Sequence, residues 1–263
     1  MARATGPEGR ITRGTTGQNR LRRIDRWIAR HPALRRTADP LVVDLGFGAS
    51  ATTSRELHDR LRAARPDAEV VGVEIDPERV RIASAAERPG LSFRVGGFEV
   101  PTPDGRRPAV IRALNVLRQY EEAEVAEAWA RMTARLQPDG ILVEGTCDEL
   151  GRIASWVQLG ADGLPRTFSM SLRLEGLETP EVVHERLPKA LIHRNVPGER
   201  VHELLAELDA LWARHAPLQV YGPSQRWIAV VESLRDAGRP VRDSRARWRL
   251  GELTLDWSAV APA

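Results

Sequence analysis

The chain of 263 residues has one cysteine, Cys147, and one lysine, Lys189. A lone cysteine cannot close an internal disulfide, so a disulfide-stapled fold is excluded and a reducing compartment is the expected setting. No Cys/His spacing of the ligand kind occurs, so no metal is expected. There is no run of eighteen or more apolar residues and no apolar stretch behind the basic start. Neither a membrane span nor a secretory signal is therefore expected, and the chain reads as cytoplasmic with no membrane partner. Internal repeats are lacking too. The near-absence of lysine among 39 basic residues looks like a coding bias toward arginine and says little about partners.

What is present is a strong alternation of apolar runs and helical patterns. The length suffices for one large α/β domain with appendages or for two small domains. Leu41-Val42-Val43-Asp44-Leu45 is a branched apolar run of the kind that makes a buried parallel strand. It opens into Gly46-Phe47-Gly48-Ala49-Ser50-Ala51, where small residues let the backbone turn sharply and approach a ligand. A helix follows to about Ala64, and residues 69–75 form a second strand. Asp76-Pro77 supplies the N-cap and first-turn proline of the next helix, which runs through about Ala86. Residues 91–95, 109–114 and 141–145 read as strands three to five, with a helix over 121–136. Upstream, Asn19 is placed to cap a helix whose apolar positions are Leu21, Ile24, Trp27 and Ile28.

After Thr146-Cys147-Asp148 the alternation changes. Residues 153–159 and 166–174 read as antiparallel strands about Gly160-Ala161-Asp162-Gly163. Helical patterns occupy about 180–190, 199–215 and 224–237, and residues 250–257 read as a late strand. The organisation expected is a basic flexible arm over 1–18, a nucleotide-binding core over 19–150, and a C-terminal completion with a helical cap over 151–263, within the same domain.

The glycine loop alone satisfies a permissive dinucleotide fingerprint and separates few candidates. The other elements narrow it. Asp44, Gly46 and Gly48 match an acid followed by alternating glycines, with Ser50 where a third glycine is usual. Glu74 is an acid closing the second strand, and Leu136, Pro138 and Gly140 precede the fifth, with Asp139 replacing a frequent glycine. Over roughly residues 40–148 the chain resembles the class I S-adenosylmethionine-dependent methyltransferases. The resemblance implies a Rossmann-like, doubly wound, mostly parallel sheet of about seven strands, with S-adenosyl-L-methionine as cofactor.

Under that resemblance each position has a physical role. Gly46, Phe47 and Gly48 line the methionine part of the cofactor, and Asp44 accepts from its ammonium. Glu74, beside Ile75, takes both ribose hydroxyls in charge-assisted bonds. Gly97, Phe98 and Glu99 stand where the family carries a Gly-Asp-Ala-like adenine segment. Asp is absent at 97, so Phe98 is expected against the ring and Glu99 at its polar edge. Asn115 opens Asn115-Val116-Leu117, which looks more like small-molecule and receptor-protein methyltransferases than like amine methylases of nucleic acid.

Methyl transfer is an in-line displacement, so a base is needed only for an acceptor that carries a proton. Asp148, just past the fifth strand, and His193, in a polar loop before Pro197-Gly198, are the candidate catalytic residues. Cys147 lacks the neighbours of a nucleophile, and Trp212, Trp227, Trp248 and Trp257 are expected in the core rather than around an acceptor. The acceptor expected is a small molecule or protein.

Charge position adds a further question. Residues 1–36 hold ten arginines against Glu8 and Asp25, a balance of +8 that leaves the rest of the chain at −5. Three readings stand: a solvated leader, contact with an anionic partner such as RNA, and an arm folded over the cofactor. An RNA-binding or RNA-methylating protein, a catalytically silent cofactor-binding module and an NAD-dependent oxidoreductase are the rivals to the methyltransferase reading.

Overall fold

The computed structural model describes residues 6–12, 14 and 17–263. Of the basic arm, residues 1–5, 13, 15 and 16, with Arg3 and Arg13, lie outside the described residues. The chain forms two compact units.

The first unit is built on the chain up to Glu144, with Glu149–Gly151 and Leu159–Leu164. Its elements are α1 (Arg22–Ile28), α2 (Pro32–Arg35), β1 (Leu41–Leu45), α3 (Thr52–Ala64), β2 (Glu69–Glu74), α4 (Pro77–Ala83), β3 (Leu91–Val95), β4 (Val110–Leu114), α5 (Glu122–Thr133) and the start of β5 (Ile141–Cys147). All five residues of β1 are buried, as a strand covered on both faces requires. It pairs in parallel with β2 on one side, Asp44 opposite Gly72, and with β4 on the other, Asp44 opposite Arg112. β2 in turn pairs in parallel with β3. The chain thus leaves β1 toward β2 and β3 and returns to β4 on the opposite side. That topological switch opens a crevice at the carboxyl ends of the strands.

Asp76 caps α4, its carboxylate accepting from the amides of Glu78 (2.9 Å) and Arg79 (3.4 Å), with Pro77 in the first turn. Asn19 does not cap α1. It lies outside the helix at φ 61° with its Oδ1 accepting from Arg60, and Leu21 holds the N-cap position without a side-chain bond. Its own N–H donates to Glu56 of α3, while its carbonyl accepts the Arg22 N–H at the start of α1, so the side chain goes to α3 and only the carbonyl serves the turn.

The second unit takes in the end of β5, most of β6 (Ile153–Gly160) and β7 (Pro165–Leu172), then α6 (Lys189–Ile192), α7 (Arg200–Arg214), α8 (Pro223–Asp236), α9 (Arg245–Trp248) and β8 (Glu252–Asp256). β8 pairs antiparallel with β7, Ser169 opposite Thr254. On α7 the buried positions Val201, Leu204, Leu205, Leu208, Leu211 and Trp212 recur at three- and four-residue steps and make one apolar stripe. Trp212 meets Trp227 edge to face at 6.3 Å, and both are buried, as is Trp248. The helix expected over 180–190 is a 3-10 turn over Pro180–Arg186 followed by the four-residue α6. Pro188 between them disfavours a helical conformation at Leu187, which is extended.

Strand order in the sheet is β3-β2-β1-β4-β5-β6-β7-β8. The sheet therefore has eight strands where the resemblance implies about seven. The difference arises after β5, where the strands follow one another in sequence order instead of crossing over. Among the described residues no helix is long and apolar enough to cross a membrane. No group of three or more His, Cys, Asp or Glu among them is placed to hold a metal ion.

Candidate functional site

A cleft of about 270 Å³ lies in the first unit where β1, β2 and β4 end; Gly46, Glu74, Ile75, Phe98, Val116 and Tyr120 are among its walls. Each is delivered by the element before it. Gly46 follows β1 at φ 70° and donates its N–H to Val73 at 2.7 Å. A Cβ there would stand 2.7 Å from the Val116 side chain, so only glycine fits this left-handed turn beside the β4 loop. Val116 is set by Asn115, which itself takes φ 62° at the end of β4. A non-glycine residue held in that region is strained, and such strain gathers at functional sites.

Glu74 ends β2 and is 1% exposed. One carboxylate oxygen accepts from the Gly48 N–H and the other from the Ile75 N–H, both at 3.0 Å. Arg79 of α4 stands 3.8 Å away. The Asp76 N–H reaches the Ile75-bonded oxygen as well, at 3.5 Å, so main-chain donors on both sides fix the carboxylate's orientation at the cleft wall. Gly46, Glu74, Ile75, Gly97 and Phe98 of the expected cofactor residues thus share one cleft, and Gly48 braces Glu74 from behind.

Two others face elsewhere. Phe47 is buried in the core with its ring edge-on to Phe93 at 5.2 Å. Asp44 turns from the cleft to Arg112 on the neighbouring strand, accepting from its Nε at 3.0 Å, and also from Ser54 (2.7 Å) and Thr53 (3.2 Å). Arg112 is fully buried and also donates to the Thr53 carbonyl at 3.3 Å and to Asp25 of α1, which in turn binds Arg60 at 2.5 Å. Burial presses the guanidinium toward neutrality, but Asp44 and Asp25 outweigh it and hold Arg112 above its ordinary value. Asp44 thus serves to hold Arg112 charged, since an unpaired buried guanidinium is costly.

The segment after β3 meets the N-terminal arm. Phe98 donates its N–H to the Glu8 carbonyl at 2.9 Å, and Glu8 donates its own N–H to the Glu99 carboxylate at 2.9 Å. At Gly97 a Cβ would lie 1.8 Å from the Glu8 oxygen, so the arm's approach depends on glycine at this position. The loop is tight: the Val100 N–H closes on the Gly97 carbonyl with Val100 at φ 47°. Phe98 rests on Tyr120, ring centroids 5.4 Å apart, and the Tyr120 hydroxyl accepts the Arg10 N–H at 2.5 Å. Burial pushes the Tyr120 phenol up.

Both candidate catalytic residues lie in the second unit. The Asp148 carboxylate accepts from the N–H groups of Arg152 (2.7 Å) and Ile153 (3.2 Å), closing its own loop. His193 is exposed, with Nε2 at 3.0 Å from the Lys189 Nζ. Sequence reasoning did not single out Tyr120 or the backbone of residues 8–12. Tyr120 was legible as an aromatic next to the Asn115 loop. The Arg112 pair was also legible, since an arginine within Val110-Ile111-Arg112-Ala113-Leu114 demands a buried acid.

Neither a protein-family model nor a curated protein sequence matches the chain. Similar solved structures include human N-acetylserotonin methyltransferase in complex with S-adenosylmethionine, 19% identical over 48% of this chain and 33% of that one, with a TM-score of 0.36. Magnesium protoporphyrin IX methyltransferase from Synechocystis PCC 6803 with bound S-adenosylhomocysteine is 18% identical over 48% and 53%, TM-score 0.37. A plantazolicin methyltransferase in complex with S-adenosylhomocysteine is 11% identical over 49% and 48%, TM-score 0.37. The chain spans about a third to a half of the length of these proteins. By the order of β1 to β5, the glycine loop after β1 and the acid ending β2, the first unit is a doubly wound, Rossmann-like α/β arrangement.

Proposed function

We propose that the chain binds S-adenosylmethionine in this cleft and acts as a methyltransferase toward a small-molecule or protein acceptor. The observation that carries the reading is the placing of Glu74: a buried carboxylate at the end of β2, next to the switch point, pinned by the main-chain amides of Gly48, Ile75 and Asp76 and lining the cleft. Two adjacent hydroxyls of a ribose match the two oxygens of one carboxylate. The remaining walls fit the group as well. Ile75, Phe98 and Val116 supply apolar faces, and the Phe98 N–H with the Glu99 carboxylate supplies one donor and one acceptor side by side. Gly46, with no side chain, lets the backbone turn against Val116 at the cleft wall.

When bound, the cofactor supplies an electrophilic methyl group on a sulfonium sulfur. The chain's own residues bind and orient. Glu74 holds the sugar, Phe98 and Glu99 the base, and the Gly46 turn the amino-acid end. Asp148 and His193 stand as candidate bases for an acceptor that carries a proton. Incubation with labelled S-adenosylmethionine and a cell extract, fractionated into small molecules, proteins and RNA, tests the reading. Label in the first or second fraction supports it, and no label in any fraction counts against an active methyltransferase. An NAD-dependent oxidoreductase predicts instead that NAD, and not S-adenosylhomocysteine, raises the melting temperature.

One observation favours RNA as the acceptor. Arg22, Arg26, Arg30, Arg35 and Arg36 are all exposed on and after α1. An anionic polymer lying there predicts a steep loss of RNA affinity with salt, and a shallow slope argues for a solvated face.

A further inference from the structure

The arm residues Glu8 to Thr12 are held against the cleft from several sides. Their main chain bonds Phe98, Glu99 and Tyr120, and the Arg79 guanidinium donates to the Thr12 carbonyl at 3.0 Å. Two of their side chains reach outward to α5: Arg10 pairs with Glu124 and Glu8 with Arg131, both at 2.7 Å. Arg10 also lies 4.7 Å over the Tyr120 ring.

The bonding pattern at Glu8 is informative. Its peptide groups present one acceptor to the Phe98 N–H and one donor to the Glu99 carboxylate. The hydrogen-bonding edge of adenine presents the same pair, a ring nitrogen that accepts beside an amine that donates. Both main-chain and carboxylate partners are thereby already satisfied by the protein's own chain. Glu8, Gly9, Arg10 and Thr12 themselves form part of the cleft's lining, so the arm takes up part of the space beside Gly97 and Phe98.

We propose that residues 8–12 are an intramolecular occupant of the adenine subsite, so that the arm and the cofactor compete and the arm must leave for the cofactor to bind. The proposal rests on the cofactor reading above. It gives the basic arm a regulatory role, in which whatever draws it off α5 raises cofactor affinity. Gly97 then has a definite function, since any side chain there would evict the arm. The α5 anchors Glu124 and Arg131 do not line the cleft, so the arm can be loosened without touching the ligand's contacts.

The test uses the full chain. Calorimetry with S-adenosylhomocysteine compares the wild type with Glu124→Ala/Arg131→Ala, and with Glu8→Ala/Arg10→Ala as a second route to the same release. Each variant is expected to bind about three- to tenfold more tightly, the size that two exposed ion pairs contribute to holding a segment. In the wild type, ligand addition is expected to speed hydrogen exchange at the Glu8 and Arg10 amides. Equal or weaker binding by both variants overturns the competition, as does slower exchange at those amides, which marks the arm as a lid closing over the ligand. Failure of every form to bind overturns the cofactor reading and the competition with it.

Discussion

At the scale of single residues, two buried ionisable groups, Glu144 and Arg112, give the sharpest expectations. Glu144 on β5 is fully buried, and burial lifts its carboxyl from an ordinary 4.5 to about 8, against a weaker pull from a Trp129 hydrogen bond. The folded protein keeps this proton while the unfolded chain releases it. Its contribution to stability is therefore full below the unfolded value and is lost as pH rises through the folded one. Between pH 5 and 8, Glu144→Gln is predicted to gain on the wild type by about 1.4 kcal/mol per pH unit, read from thermal or urea unfolding. Parallel stability curves for the two proteins would remove the assignment. Arg112 carries the opposite expectation. Arg112→Met strands Asp44 and weakens the pairing of Asp25, and is predicted to cost about 3–5 kcal/mol in urea unfolding at pH 7.

At the scale of elements, much was legible because local rules and tertiary needs coincide. The apolar runs of β1 and β2 are buried strands, and Asp76-Pro77 begins α4 with the expected cap. Asp76→Ala is predicted to lower stability by about 1 kcal/mol, with a matching fall in melting temperature. Where the reading failed, a longer-range demand overrode the local one. Asn19 bonds Arg60 and Glu56 of α3 instead of capping α1, and Pro188 splits what periodicity offered as one helix. Asp44, which has the spacing of a ligand contact, also pairs with Arg112, its neighbour in the β1–β4 register. The arm's docking was least legible, since its bonds to Phe98 and Tyr120 use main-chain atoms that leave no side-chain pattern. Asn115 gives a further test at this scale. Asn115→Val forces a β-branched residue into φ 62° and is predicted to cost about 1–2 kcal/mol in urea unfolding, whereas Asn115→Gly relieves the backbone.

At the scale of the whole molecule, the chain forms two units that carry different features. The first carries the switch point, the glycine turn, Glu74 and the arm that lies against them. The second carries an antiparallel strand pair, a tryptophan-rich helical core, and Asp148 and His193. Under the proposed function, the donor site falls in the first unit and the candidate bases in the second. A nucleoside site reuses a small set of backbone devices, while an acceptor site follows the shape of one particular molecule. The central claim, that Glu74 marks an S-adenosylmethionine site, is tested most directly by calorimetry with S-adenosylhomocysteine and NAD on the wild type and on Glu74→Ala. The account predicts binding of the sulfur ligand alone, and at least a tenfold loss in the variant, in line with ~1.5–3 kcal/mol for hydrogen bonds to a charged group. Preference for NAD, or an affinity unchanged by the substitution, would contradict it.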